Sequence, residues 1–317
     1  MTRCELPLGP DYVLAVQRWA ELEKAKIPAM ALPTFKDLAD KYMQDAIPLK
    51  SPRKQIENLR QMKNLLEFFC NSEPAQLEDI EPVHVRQYMG KRSKSGKVAA
   101  NREKALLSHM WNKGREWGYT SRPNPCTGVS VNSEIGRDVY VEDDVYLAAY
   151  EAGDIALKDA MNLAYLTGQR PADTLAISER DIKDGSIEIK QSKTSKKLRI
   201  AVAGELEALL CRIAKRKVRL RLRLLKLIVK EDGQALTKGG LRGRFEDARE
   251  RAAESSPHIA AEIRRFQFRD LRAKAGTDKA DDSVDVRQAQ RQLGHSSIVM
   301  TEAYIRNKKG DKVKPTR

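Results

Sequence analysis

Apolar residues recur at helical spacing through most of this 317-residue chain, and they alternate at strand spacing in one place. The first repeat, over 11–26, sets Tyr12, Val13, Val16, Trp19 and Leu22 on one face, and Ile27-Pro28 ends it. Leu32-Pro33 reads as a linker. Thr34-Phe-Lys-Asp37 then resembles a capping box with Asp in place of Glu, opening a helix striped by Phe35, Leu38, Ala39 and Tyr42. A second helix is predicted over 52–69, with Ile56, Leu59, Met62, Leu65, Leu66 and Phe69 facing inward. A third runs over 82–92 with proline in its first turn, and a fourth over 98–117 carries Ala105, Leu106, His109, Met110 and Trp117. Arg122-Pro-Asn-Pro125 closes this four-helix group.

A linker is expected over 126–140, where Gly, Asn and Ser replace the apolar period. Helices follow over 142–152 and 155–167, Gly168 breaks the second, and Pro171 starts a short third. The period then changes. Residues 186–190 and 197–202 alternate, separated by polar 191–196, which predicts a β-hairpin with Lys193 near its tip. Helical spacing returns over 204–219 and 241–253, and in segments holding 268–280, 284–293 and 297–307. Arg219-Leu-Arg-Leu-Arg-Leu224 is ambiguous, since it alternates like a strand inside a helical neighbourhood. The fold class expected is mainly α. It comprises an N-terminal segment (1–33), a helical domain (34–125), the linker (126–140) and an α-rich domain with a small antiparallel sheet (141–317).

Charge narrows the function. Lys and Arg total 59 against 44 Asp and Glu, a formal net charge of +15. Such an excess attracts a polyanion, nucleic acid first and an anionic membrane second. No apolar stretch is long enough to span a bilayer, and the N-terminus has no secretory apolar core, so a cytoplasmic protein is expected. Lys91, Arg92, Lys94 and Lys97 form a basic turn that fits either solvent or DNA phosphates. From Lys215 to Lys230 there are eight basic residues and no acid; a solvated face with inward leucines and a phosphate-contacting face both fit. Cys4, Cys70, Cys126 and Cys211 are scattered and read as free, mostly buried thiols. The histidines are equally dispersed, with His109 read as a core or boundary residue, so metal chemistry has no support.

Taken singly, the polar residues of the second half are bland. Tyr304 in Ala-Tyr-Ile reads as half-buried packing, Arg170 as a loop arginine, Lys193 as solvated and Arg272 as an ion-pair residue. Taken together they resemble the tyrosine recombinases, the family of phage integrases and Xer-type resolvases. Leu166-Thr-Gly-Gln-Arg170-Pro-Ala-Asp173 is similar to the family's first box, and Lys193 follows 23 residues later on the predicted hairpin. Arg269-Asp-Leu-Arg272 resembles its His-x-Leu-Arg, and Leu293-Gly-His295 with Tyr304 nine residues on resembles its second box. The resemblance runs from about Pro33 to Ile305 and is strongest in the second half.

The resemblance implies a core-DNA-binding domain before a catalytic domain, and cleavage of DNA through a 3′-phosphotyrosine. Tyr304 would be the nucleophile, with Arg170 and Arg272 clamping the non-bridging oxygens. Lys193 would protonate the 5′ oxygen, and His295 would bond the phosphate and handle the tyrosine proton. Asp173 would orient Arg170 or nearby backbone. Arg269 stands where the family usually has histidine; an arginine cannot accept a proton, so its role is electrostatic, or it faces outward. No metal or other cofactor is implied. The implied partners are double-stranded DNA carrying a specific site, further copies forming a tetramer on DNA, accessory DNA-bending proteins and a directionality factor. The activity expected is that of a phage or mobile-element integrase near the nucleoid. An Xer-like resolvase, a type IB topoisomerase and a catalytically silent DNA-binding regulator are the alternatives.

Overall fold

A computed structural model describes residues 12–26, 32–134, 136–283, 285–303 and 305. The chain divides into two compact units after Gly136. Among the described residues no helix is long and apolar enough to cross a membrane.

The first unit is helical: α1 (Tyr12–Lys26), α2 (Phe35–Asp45), α3 (Pro52–Phe69), α4 (Pro82–Ser93) and α5 (Lys97–Glu116). The capping box forms as written. Thr34 Oγ1 accepts from Asp37 N at 3.2 Å, and Asp37 Oδ2 accepts from Thr34 N at 2.9 Å. Phe35, Leu38 and Tyr42 of α2 bury against Leu65 and Phe69 of α3 and Leu107, Met110 and Trp111 of α5. The register expected for α3 needs correction. Ile56 and Leu59 are 72% and 48% exposed. The buried stripe is Asn58, Met62, Leu65 and Phe69, at helical spacing but turned away from 56 and 59. Its first turns are polar because Asn58 accepts from Lys50 Nζ (2.8 Å) and donates to Gln61 Oε1 (3.0 Å). On α5, Ala105 is exposed rather than inward. His109, expected in the core or at its boundary, is exposed, and its Nδ1 pairs with the Tyr42 hydroxyl at 2.7 Å.

Glu103 is the buried polar centre of this unit. It accepts from Tyr88 Oη at 2.6 Å, Asn64 Nδ2 at 2.7 Å and Arg92 Nε at 2.8 Å, tying α3, α4 and α5 together. Satisfied buried carboxylates are tolerated only with such partners.

The second unit holds α6 (Asp143–Glu151), α7 (Ile155–Thr167), α8 (Pro171–Ala176), β1 (Ile182–Lys183), β2 (Ser186–Lys190), β3 (Lys197–Ala201), α9 (Glu205–Arg219), α10 (Lys238–Ser255), α11 (Ala260–Arg265), α12 (Asp270–Ser283), α13 (Val286–Leu293) and α14 (Ile298–Glu302). The sheet is antiparallel in the order β1-β2-β3, with Ile187 opposite Ile200 and Ile189 opposite Leu198. The hairpin β2–β3 is the one the alternation predicts. β1 is additional: it turns into β2 through Asp184-Gly185, both at positive φ (47° and 65°). Asp-Gly is the residue pair such a two-residue turn selects.

α7 is the hub. Ala156, Leu157, Ala160, Met161, Leu163 and Ala164 are all buried, as its packing against α6, α8, α9, α10 and α12 requires. Asp154 caps its start by accepting from Leu157 N at 2.8 Å, and Gly168 (φ 66°) ends it. Lys274 of α12 is buried between the rings of Tyr140 and Tyr165. Asp278 accepts from both hydroxyls, at 2.6 and 2.9 Å, and pairs with Lys274 at 3.2 Å, which fixes α12 against the end of α7.

Several sequence expectations shift. α10 starts at Lys238 despite Gly239-Gly240, because Thr237 Oγ1 caps it by accepting from Gly240 N at 3.1 Å. In the ambiguous 219–224 segment, Arg219 is the last residue of α9 and 220–224 are neither helix nor strand, with Arg221 at φ 54°. α11 has no clear periodicity in the sequence. Among the thiols, Cys126 is buried and Cys70 half-buried, but Cys211 is exposed on the outer side of α9; Cys4 lies outside the described residues.

Glu103→Ala leaves Arg92, Tyr88 and Asn64 without their shared acceptor and costs about 3 kcal/mol. All three tryptophans lie in the first unit. The expected outcome is a lower urea midpoint for the tryptophan fluorescence transition; an unchanged midpoint would contradict this account of the unit.

Candidate active site

The C-terminal end of α7, the β2–β3 turn, the first turn of α12 and the loop after α13 meet in one place. Arg272 joins them. Its side chain is 2% exposed. Nη1 donates to Gly168 O at 2.7 Å and Nη2 to Leu293 O at 2.5 Å, and Nη2 lies 3.2 Å from His295 Nε2. An arginine only donates, so on this pairing Nε2 accepts and the imidazole proton sits on Nδ1, facing Thr301 Oγ1 at 3.1 Å.

His295 is 2% exposed. Burial, followed by the positive charges of Arg272, Arg170 and Lys196, pushes its pKa down to about 4. The ring is therefore neutral at physiological pH. Burial is the larger cause, and the three cations add to it in the same direction.

Arg170 leads into α8 with Pro171 behind it, and its side chain is 22% exposed. Nη1 donates to Gln191 Oε1 at 3.3 Å and lies 3.9 Å from Asp173 Oδ2. Asp173 is buried, and its Oδ1 accepts from Ser192 N at 2.9 Å. It thus touches both groups the sequence reading offered, the arginine and the neighbouring backbone.

Two buried amides, absent from the sequence reading, tie these segments together. Gln191 Nε2 donates to Gln169 Oε1 (2.8 Å) and Leu293 O (2.9 Å), while its Oε1 accepts from Arg170 and from Thr194 Oγ1 (2.9 Å). Gln169 Nε2 donates to Thr167 O (2.9 Å) and Gln292 O (3.1 Å). Gly294 (φ 69°) passes so close that a Cβ there would lie 2.9 Å from Gln191 Nε2. The only sequence signal was their adjacency to Arg170 and Lys193; nothing in composition marks a buried glutamine.

Lys193 is exposed in the β2–β3 turn. The lysine of this turn that reaches the cluster is Lys196, whose Nζ donates to His295 O at 3.2 Å. Arg269 is exposed, and among the described residues its side chain makes no hydrogen bond or ion pair, so it takes no part in holding Arg272. Tyr304 lies outside the described residues.

In the first unit, Lys91, Lys94 and Lys97 are exposed around the α4–α5 connection, with Lys91 Nζ 5.8 Å from the Phe68 ring centroid. Arg92 departs from that set, because its Nε is turned in to Glu103. No group of His, Cys, Asp and Glu among the described residues is placed to hold a metal ion.

Two outcomes follow for the free protein. The His295 imidazole stays neutral by NMR down to about pH 5. Its folded pKa lies below the usual value of about 6.5, so the unfolded chain binds more protons between the two. Stability therefore falls as pH drops from about 6.5 to about 4, and His295→Gln flattens that slope. Separately, Gln191→Leu strands Gln169 Oε1 and leaves Leu293 O with Arg272 as its remaining donor, and lowers stability by about 1–3 kcal/mol in urea titrations. Gln191→Glu is no rescue, since a carboxylate cannot donate to those oxygens.

Comparison with known proteins places this geometry. The family model described as "Phage integrase family" matches residues 143–310. The integrase of Escherichia phage lambda is 28% identical over 250 residues, covering 75% of this chain and 67% of its own length. Among solved structures, a lambda integrase dimer bound to a COC' core site superposes with a TM-score of 0.75 at 22% identity, covering 95% of this chain and 88% of that one. A lambda integrase tetramer bound to a Holliday junction gives 0.74 at 21% identity, over 98% and 92%.

Proposed function

The chain belongs to the phage integrase family, and from that premise we propose that it cuts and rejoins duplex DNA at a specific site through a covalent phosphotyrosine at Tyr304. The observation that carries this reading is the buried Arg272 guanidinium. It bridges Gly168 O, Leu293 O and His295, with Arg170 beside it across Gln191.

A phosphodiester gains negative charge on its non-bridging oxygens as the nucleophile approaches. Two guanidinium groups fixed before DNA arrives stabilise that charge without reorganising. The Tyr304 oxygen forms a bond to phosphorus and the bond to the 5′ oxygen breaks. The tyrosine proton passes to His295, and Lys193 supplies a proton to the leaving 5′ oxygen. A neutral imidazole suits this role, because it can accept a proton. The anionic phosphate opposes the cations that depress the His295 pKa, so DNA binding raises that pKa toward neutrality. The phosphotyrosine conserves the bond energy, and the reverse steps rejoin a strand without a nucleotide cofactor.

Lys193 is exposed in the turn, which leaves it able to meet a phosphate on the open side of the site. Arg269, also exposed, contributes charge rather than proton transfer. Lys91, Lys94 and Lys97 are assigned to phosphates of the bound site, while Arg92 supports them through Glu103. The unit boundary after Gly136 supports a DNA-binding segment (34–125) followed by a catalytic one (141–317). The solved lambda integrase tetramer on a Holliday junction supports assembly of four copies on paired sites. Integration or excision of a mobile element, with accessory DNA-bending and directionality proteins, at the nucleoid of a bacterial cytoplasm, is the setting this reading favours.

The test is a suicide substrate nicked near a site from the source element, with wild type and Tyr304→Phe compared on a denaturing gel. A protein–DNA adduct with wild type and none with Tyr304→Phe is expected. Specific binding with no adduct from either protein would overturn the reading in favour of a DNA-binding regulator.

A further inference from the structure

The basic run that begins on α9 has no part in the site described above. Arg212, Lys215, Arg216 and Arg219 recur every three or four residues on α9 and line one side of a concavity of about 590 Å³, together with Cys211. None of the lining residues is acidic. The carboxylate behind it is Asp159 of α7, fully buried, which accepts from Arg212 Nη2 at 3.2 Å and from Arg216 Nη1. Two of the four cations are paired with that carboxylate, and Lys215 and Arg219 have no ion-pair partner among the described residues. Arg216 is 8% exposed, and its Nη2 is buried with no hydrogen-bond partner. A buried guanidinium donor left unsatisfied is costly, and the exposed Lys215 and Arg219 beside it are the groups an oxyanion in the concavity meets.

This place is remote from Arg170. The concavity lies at the start of α7, beside Ile155, whereas Gly168 and Arg170 follow its other end. Thirteen residues of helix separate the two by about 20 Å at 1.5 Å per residue. A phosphate held here is not the one held by Arg272.

The surface is longer than one phosphate. Arg212 to Arg219 spans about 10 Å of helix, or about three phosphates of one DNA strand at 3.4 Å of axis each. The basic character continues past the helix into Arg221 and Arg223, both exposed. Lys217 and Lys226 differ, being turned onto Glu179 and Ala176 O, so the run divides into an anchoring set and an outward set.

We propose that this α9 concavity is a second phosphate-binding site, one that holds the backbone of duplex DNA outside the segment being cut. It rests on the reading of the chain as a DNA-cutting enzyme. It adds a contact that lengthens the bound DNA and raises the salt dependence of binding without touching the chemistry.

The experiment compares the full chain on a short duplex limited to the core site and on the same site with long flanks. The variants are Lys215→Gln and Arg219→Gln, singly and together, both at exposed positions whose loss leaves the Asp159 pairs intact. For wild type, the slope of log affinity against log salt is expected to be steeper by roughly 2.7 on the long duplex, for three phosphates at about 0.9 each. The double variant should lose most of that difference while keeping short-duplex affinity and adduct formation. Long duplex, and not short, should also protect Cys211 from maleimide in the wild type. Equal slopes on both duplexes for wild type overturn the proposal. So does equal weakening of the variants on the short duplex, which would assign the concavity to the core-site interface. Cys211 protected by inorganic pyrophosphate but not by long duplex would assign it to a free phosphate ligand. Adduct formation by wild type is scored in the same samples, so failure of the enzymatic reading shows separately.

Discussion

Arg272 carries a permanent charge into a place that admits almost no water. An isolated buried charge would cost far more than the stability margin of a domain of this size. The second unit accommodates it by ending helices where their carbonyls can be used. Gly168 closes α7 in a left-handed conformation and presents its C=O to Nη1; Gly294 does the same after α13, and the preceding Leu293 C=O meets Nη2. Helix C-termini leave carbonyls without intrahelical donors, and they carry partial negative charge. A guanidinium placed between two of them is both hydrogen-bonded and electrostatically favoured. The same arrangement brings residues about 100 positions apart in sequence to one guanidinium.

Everything else in the site follows from keeping that group still. The Gln169–Gln191 amide pair sews the β2–β3 turn to the ends of α7 and α13. The Lys274–Asp278–tyrosine cluster, half a turn and more along α12, stops that helix from sliding against α7. Replacing such networks by apolar packing can be neutral for stability. In the proposed reaction their use is geometric: they hold a charge in position before substrate arrives, when electrostatic stabilisation is most effective. His295, packed into the same place, loses proton affinity first through its burial and then through the cations around it.

Much of this was legible in the sequence. Proline, glycine and capping residues mark helix ends through local chemistry, so α3, α7 and the Gly168 break fall where the pattern puts them. The hairpin follows from strict alternation. Asp184-Gly185 is an equally plain turn signal, but β1 before it is only two residues long and carries no alternation to mark a strand. The inward face of α3 differs from the one its apolar residues predict for another reason. Periodicity finds an apolar stripe, but a buried polar pair, Asn58 and Gln61, rotated the helix away from Ile56 and Leu59. In the site, the charged residues were named by their motif spacing. The neutral supports, Gln169 and Gln191, and the reach of Lys196 were not, because hydrogen bonds between distant segments leave no local pattern. Arg92 shows the converse: a basic residue in a basic turn, committed to an internal carboxylate.

In the proposed reaction Arg272 acts by its charge on a non-bridging phosphate oxygen and is more than a brace for two carbonyls. Single-turnover cleavage of a methylphosphonate at the scissile position, where one non-bridging oxygen is replaced by a neutral methyl group, separates the two roles. Wild type and Arg272→Ala are compared on the natural phosphodiester and on this substrate. The account predicts a loss of about 100- to 1,000-fold from the substitution on the phosphodiester, and most of that loss removed on the methylphosphonate, which has less charge to neutralise. An equal loss on both substrates would contradict it, and would leave Arg272 as structural support alone.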